Sequence, residues 1–203
     1  AAVTLVAGKY QLQSVLGRGA MGRVYDAIHL DLGRRVALKV LKNLRTDDAV
    51  LVRRFRREAQ TAARLDHPHA VRVLDFGEDP KAFLYIVMEY VDAKPLSRVL
   101  STLPRFPWKR ACKVLVQVAD ALATAHVAGV IHRDVKPSNV LLGARATKHS
   151  EPQDYAKVCD FGLAKFETDH MDPDATQDPK WKAAGTPIYM APEQAVGDPL
   201  DGR

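Results

Sequence analysis

The sequence predicts an α+β protein in two lobes: a small sheet-rich lobe with one helix over residues 1–91, and a mainly helical lobe over residues 92–203. Residues 10–41 alternate apolar and polar in short runs rich in β-branched side chains, the period of strands. Beyond residue 95 the apolar positions recur at helical spacing. Between them Val91-Asp92-Ala93-Lys94-Pro95 breaks both patterns, so the stretch from Glu89 to Lys94 is a candidate hinge, and clefts between lobes commonly take small ligands.

Each element follows in order. Tyr10-Gln11-Leu12-Gln13, Val24-Tyr25-Asp26-Ala27-Ile28 and Arg35 to Leu41 read as strands. Residues 47–65 place Val52, Phe55, Ala59 and Ala62 on one helical face, with Asp47 or Asp48 positioned to cap the start. Two more strands are predicted, Ala70 to Phe76 and Phe83 to Tyr90, separated by the turn residues Gly77, Asp79 and Pro80. A short helix near Leu96 to Leu100 precedes a long one from about Pro107 to Gly129, closed by that glycine. No internal repeat or low-complexity tract interrupts the chain.

Composition narrows the function classes. With 203 residues, 47% hydrophobic and 27% charged, the chain belongs to the globular class. Its most apolar stretch, Val114 to Ile131, is broken by Gln117, Asp120, His126 and Gly129, so no membrane span is expected. No signal-peptide pattern opens the chain, and Gly197 to Arg203 resembles the interior of a longer sequence, so a fragment is expected. Cys112 and Cys159 have no metal-ligand spacing and read as reduced core residues of an intracellular protein. The net charge of +6 raises nucleic acid as a partner, but the basic residues gather in Arg53-Arg54-Phe55-Arg56-Arg57 rather than along an aromatic-laced stripe. That cluster reads as a solvated helix face, not a nucleic-acid site; a phosphorylated partner segment is a second use for it.

Several short motifs carry chemistry. His132-Arg133-Asp134-Val135-Lys136-Pro137-Ser138-Asn139 sets a carboxylate, an ammonium and an amide in one loop. Asp134 suits a base for an attacking hydroxyl, Lys136 a counter-charge for a moving phosphate, and Asn139 a metal ligand; a solvated polar loop is the plain alternative. Leu16-Gly17-Arg18-Gly19-Ala20-Met21-Gly22-Arg23-Val24 contains G-x-G-x-x-G-x-V, whose glycines admit phosphates close to the backbone. A dinucleotide fold needs a helix next, whereas Val24 to Ile28 alternates like a strand, so these glycines close a hairpin. Lys39 lies inside an apolar strand, where an ammonium requires an anionic partner such as Glu58 or a nucleotide phosphate, unless it snorkels from a strand edge. Asp160-Phe161-Gly162 follows the strand-like Ala156 to Cys159, where Asp160 can share a metal ion with Asn139. Gly185-Thr186-Pro187-Ile188-Tyr189-Met190-Ala191-Pro192-Glu193 is a proline-bounded segment with a hydroxyl at Thr186.

Taken in order from Tyr10 to Glu193, these motifs resemble the signature set of the protein kinases. Lys136 within H-R-D-x-K-P and the G-T-x-x-Y-M-A-P-E segment resemble the serine/threonine branch. Phe55-Arg56-Arg57-Glu58-Ala59, Asp75-Phe76-Gly77-Glu78 and Ala191-Pro192-Glu193-Gln194 are similar to bacterial, eukaryotic-like kinases. The resemblance implies a bilobal kinase-like fold, an antiparallel sheet with one helix in the first lobe, and transfer of the γ-phosphate of ATP to serine or threonine hydroxyls of proteins, with Mg²⁺ or alternatively Mn²⁺.

Residue by residue, the resemblance implies that Gly17, Gly19 and Gly22 cover the phosphates, Lys39 holds the α- and β-phosphates and Glu58 orients Lys39. Asp134 is then the catalytic base, Asn139 and Asp160 ligate the metal, Lys136 stabilises the moving phosphate and Thr186 fixes Asp134 and Lys136. Leu16, Val24, Ala37 and Leu141 enclose the adenine, whose edge meets backbone groups of Glu89 and Val91, with Met88 as gatekeeper. Arg133 beside the base implies regulation by phosphate, with Thr168 and Thr176 the available hydroxyls and self-association of two copies a route to it. The implied location is cytoplasmic, including the cytoplasmic domain of a membrane-anchored protein.

Three departures from the pattern stand out. Leu38 replaces the usual Ile, the interval from Asn139 to Asp160 is long and reads as an extended surface hairpin over Ala144 to Asp154, and the chain stops soon after Glu193. The early end implies a truncated helical lobe with exposed apolar surface. Two alternatives remain, a pseudokinase scaffold and a small-molecule phosphotransferase. The presence of Lys39, Glu58, Asp134, Asn139 and Asp160 speaks against the first; Lys136 and the 185–193 segment speak against the second.

Overall fold

A computed structural model describes residues 4–19, 22–41, 49–81, 83–145, 153–161, 187–196, 198 and 200–202. The chain divides into two compact units, Ala1–Arg64 with Arg72–Val91, and Leu65–Val71 with Asp92–Arg203.

The first unit is built on one antiparallel sheet. Its strands are β1 (Leu5–Val6), β2 (Tyr10–Gly19), β3 (Gly22–His29), β4 (Arg34–Leu41), β5 (Val73–Asp79) and β6 (Phe83–Glu89), in the order β1-β2-β3-β4-β6-β5. Helix α1 (Ala49–Ala63) buries Leu51, Val52, Phe55, Ala59 and Ala62, the apolar stripe that its spacing predicts. Phe55 meets Phe76 of β5 edge to face at 6.0 Å. Arg53, Arg54, Arg56 and Arg57 are all exposed, as a solvated face requires. The proposed caps Asp47 and Asp48 lie outside the described residues.

The core of this unit joins Val6, Tyr10, Ala27, Val36, Leu38, Tyr85 and Val87, each large side chain contributing about 1.5–3 kcal/mol on burial. Leu38, at the position where the kinase pattern has Ile, is fully buried in it. Tyr10 donates its hydroxyl to Asp75 Oδ2, and burial together with that carboxylate raises the phenol above its ordinary range.

The second unit contains β7 (Lys94–Pro95), α2 (Leu96–Ser101), α3 (Trp108–Val127), β8 (Val140–Arg145), β9 (Gln153–Val158) and α4 (Pro192–Val196). A three-stranded sheet runs β7-β8-β9. Strands β8 and β9 pair from Val140↔Val158 to Arg145↔Gln153, the hairpin expected in the long interval before Asp160, although residues 146–152 lie outside the described ones. Helix α3 starts after Pro107 and ends in a Schellman motif: Gly129 at φ 75° donates to His126 O, and Val130 N–H donates to Ala125 O. Its buried face, Val114, Val118, Ala121 and Ala125, packs with Leu65, Ala70, Val130, Val140 and Val158.

Two sequence expectations are corrected. Cys112 is exposed rather than a core residue, because it lies two positions before Val114 and therefore about 200° around the helix from the buried stripe. Cys159 is half-buried. The strand expected from Ala70 begins instead at Val73: Ala70 forms a parallel bridge with Val158, and Val71 N–H donates to Val158 O, so this apolar run is divided between the two units.

Candidate functional site

Past the Schellman end of α3 the chain turns inward at His132, which is 1% exposed. Its Nε2 bonds to Cys159 O at 2.8 Å and its Nδ1 accepts the Asp134 N–H at 3.2 Å. Those two partners require the neutral tautomer with the proton on Nε2. Burial, the largest cause, pushes this imidazole below its ordinary value, against the opposing pull of Cys159 O and the Asp160 and Asp134 carboxylates. Phe161 crosses the ring edge to face at 4.9 Å.

Between His132 and Asp134, Arg133 adopts φ 66°, a left-handed conformation uncommon for a side chain other than Gly, Asn or Asp. A short 3₁₀ turn at Pro137–Asn139 then brings Asn139 back toward Asp134, with the Asn139 N–H donating to Lys136 O. Asn139 Nδ2 donates to both Asp134 O, at 2.8 Å, and Asp134 Oδ2, at 2.9 Å. Lys136 Nζ meets the same Oδ2 at 2.8 Å. Both donors therefore address one carboxylate oxygen. Among the described residues Oδ1 of Asp134 accepts no hydrogen bond, and neither does Oδ1 of Asn139.

Asp160 follows β9 at φ 66°. It is held beside the loop through its neighbour, since the Cys159 N–H donates to Asn139 O at 2.9 Å and Cys159 Sγ lies 3.4 Å from that oxygen. Three of the predicted polar residues, Asp134, Lys136 and Asn139, are thus in direct contact. Leu141, half-buried in β8, lies opposite Lys157 and Pro95 is its partner on the other side.

The first unit holds the other predicted residues. Gly17 pairs with Val24 and Gly19 with Gly22, so the glycines do sit on a hairpin; its tip, Ala20 and Met21, lies outside the described residues. Leu16 is exposed and Val24 half-buried. A Cβ at Gly17 or Gly19 would meet nothing within 4 Å, whereas one at Gly22 would lie 2.0 Å from Val40 O. Lys39 is buried at 4% exposure, opposite Val24 in β3 and Ile86 in β6. Glu58 is half-buried on α1. Ala37 lies opposite Met88, which is buried. The Glu89 N–H is already engaged by Arg72 O, and Val91 is half-buried.

Thr168, Thr176 and Thr186 lie outside the described residues. Two contacts had no role assigned from the sequence. His132 was visible only as the first letter of its motif, and its two buried hydrogen bonds, to Cys159 O and from the Asp134 N–H, needed the fold to appear. Gln194, on α4, donates from Nε2 to Arg133 O at 2.6 Å, across 61 positions of sequence.

The chain matches the family model described as protein kinase domain over residues 10–200. It is 43% identical to the serine/threonine-protein kinase pkn3 of Myxococcus xanthus, over 98% of this chain and 35% of that protein. It is 41% identical to the serine/threonine-protein kinase PknA of Mycobacterium tuberculosis, over 96% of this chain and 43% of that protein. The crystal structure of the Mycobacterium tuberculosis PknI kinase domain resembles it with a TM-score of 0.72 at 34% identity, covering 100% of this chain and 71% of that one. The chain thus spans less than half the length of these two curated relatives.

Proposed function

The chain belongs to the protein kinase family, and on that premise we propose that it transfers the γ-phosphate of ATP to serine and threonine hydroxyls of protein substrates. The observation that carries this reading is the Asp134 carboxylate, with one oxygen held by Lys136 and Asn139 and the other without a hydrogen bond among the described residues. An acceptor hydroxyl approaching Oδ1 gives up its proton there as its oxygen bonds to the γ-phosphorus. The bond from that phosphorus to the bridging oxygen of ADP breaks in the same step. In this reading the Lys136 ammonium offsets charge on the moving phosphate, and Lys39, which is buried, holds the α- and β-phosphates with Glu58 to orient it.

The residues fit nucleotide and metal. Among the described residues nothing lies within 4 Å of a Cβ placed at Gly17 or Gly19, so that side of the hairpin offers room for phosphate oxygens. Asn139 uses its amide nitrogen on Asp134 and presents a carbonyl oxygen, which with the Asp160 carboxylate makes a hard, all-oxygen donor pair suited to Mg²⁺ or Mn²⁺. When bound, the ion neutralises phosphate charge in the transition state. Leu16, Val24, Ala37 and Leu141 enclose adenine in this reading, beside Met88 and the backbone of Glu89 and Val91, where the engaged Glu89 N–H leaves other main-chain groups for that edge.

Thr186 completes the Asp134 and Lys136 contacts in the same reading, and phosphate on Thr168 or Thr176 engages Arg133, delivered by a second copy of the chain. We assign the reaction to the cytoplasm, where ATP and reduced thiols coexist. Among the described residues no helix is long and apolar enough to cross a membrane.

The test is phosphate transfer from labelled ATP to a mixed protein acceptor, beside an Asp134→Asn control. Loss of a general base lowers turnover by about 10²–10⁴-fold. Equal transfer by the control removes Asp134 from this role, and active protein unmodified at both Thr168 and Thr176 by mass spectrometry removes the regulatory assignment.

A further inference from the structure

The peptide plane joining Arg133 to Asp134 is held at both ends by side chains from elsewhere in the fold. Its N–H, that of Asp134, donates to His132 Nδ1 at 3.2 Å. Its carbonyl, that of Arg133, accepts from Gln194 Nε2 at 2.6 Å. The next plane is fixed as well, because Asp134 O accepts from Asn139 Nδ2 at 2.8 Å. With both flanking planes held, φ and ψ of Asp134 are set, and with them the direction in which its carboxylate leaves the backbone.

The Arg133 carbonyl needs such a partner. At φ 66° Arg133 belongs to neither a helix nor a strand, so no regular backbone ladder supplies a donor to its oxygen. Without Gln194, the plane keeps only the 3.2 Å contact to His132, at the long end of the hydrogen-bond range. Gln194 is half-buried on α4, directly after A-P-E, which residues 163–190 separate from D-F-G in sequence.

We propose that Gln194 is a positioning residue for phosphoryl transfer: by holding the Arg133 carbonyl it aims the Asp134 carboxylate, and it ties the helix after A-P-E to the base. The inference rests on the kinase reading above. Gln suits the task because it is a neutral donor long enough to reach the loop. Asn is shorter by one methylene, and ionised Glu turns an acceptor toward a carbonyl oxygen.

Misplacement of a reacting group by about 1 Å costs up to about 10²-fold in rate, and loss of one of two restraints on a plane is a smaller error, so a kcat about tenfold lower is expected. The experiment uses the protein at its full natural length, with Gln194→Glu and Gln194→Met. Four readouts are taken: kcat, KM for ATP, thermal midpoint, and amide hydrogen exchange at Asp134 without nucleotide. Both variants should lose kcat about tenfold at pH 8, with KM for ATP within about twofold, and both should exchange the Asp134 amide faster. Gln194→Glu should recover part of its deficit relative to wild type as the pH falls toward about 5, where the protonated carboxyl regains a donor.

Wild-type kcat in Gln194→Glu at pH 8 overturns the inference, as does unchanged Asp134 exchange in both variants or a kcat loss that merely tracks a fall in thermal midpoint. Faster exchange in the variants, where the unsubstituted protein transfers no phosphate, supports the hold of Gln194 on the Asp134 peptide plane and overturns the phosphoryl-transfer reading with the positioning role built on it.

Discussion

Gly17, Gly19 and Gly22 share one motif but not one reason to be glycine, and substituting each by alanine separates the reasons. At Gly22 a Cβ would stand 2.0 Å from Val40 O, 3.0 Å from Val40 C and 3.2 Å from Leu41 Cα, all backbone atoms of β4, with φ at 156°. No side chain can rotate away to make room. Ordinary contact begins near 3.4 Å, so β3 and β4 would have to separate by about 1.4 Å at the end where Gly22 faces Leu41 and Arg23 faces Val40.

That displacement breaks one or two ladder hydrogen bonds, about 1 kcal/mol each, and adds backbone strain of about 1–3 kcal/mol. Gly22→Ala should therefore lose about 2–4 kcal/mol, a fall in thermal midpoint of roughly 5–15 °C for a chain of this size. Gly17→Ala and Gly19→Ala meet nothing within 4 Å, so their stability should stay within about 0.5 kcal/mol of wild type. Their effect should fall instead on KM for ATP, because the methyl covers backbone that the phosphates approach. Thermal and urea denaturation without nucleotide, beside ATP saturation curves, give both numbers. A Gly22→Ala protein as stable as wild type would refute the steric argument; a Gly17→Ala or Gly19→Ala protein with unchanged KM would refute the phosphate assignment.

Other perturbations give sharp outcomes. Asn139→Ala removes both hydrogen bonds that Asn139 donates to Asp134 and leaves Asp134 O without its partner, which should cost about 1–3 kcal/mol in denaturant titration and raise the Mg²⁺ concentration needed for half-maximal transfer. For His132 the folded imidazole titrates below its ordinary value, so the unfolded chain binds the proton more readily; stability is full above about pH 6.5 and falls as the pH drops toward the folded value. A thermal midpoint measured from pH 7.5 to 5 should show this loss, and His132→Gln should flatten it. Tyr10→Phe leaves the half-buried Asp75 Oδ2 without its hydroxyl donor, an expected loss of about 1 kcal/mol by urea denaturation.

Much of the fold was legible because its signals are local. The stripe Val52, Phe55, Ala59 and Ala62 and the closing Gly129 announce α1 and the end of α3 through periodicity and backbone freedom alone. Cys112 misled because an apolar residue in an apolar stretch says nothing about azimuth, and α3 turns it away from the Val114 stripe. Ala70 and Val71 misled because a run that reads as one strand is shared between two units, a decision made by Val158, 87 positions beyond Val71 in the sequence.

The same division holds at the site. By itself the sequence determined which chemistry was present: the identities and order of Lys39, Asp134, Lys136, Asn139 and Asp160 suffice to name a family, since motif spacing is a property of the chain. Only the tertiary structure decided how the base is held. It put Lys136 and Asn139 on one oxygen of Asp134, buried a neutral His132 beneath it, and brought Gln194 from 61 positions away to the Arg133 carbonyl. Hydrogen bonds act over about 3 Å of space regardless of separation along the chain, so a donor so distant in sequence leaves no local pattern to read.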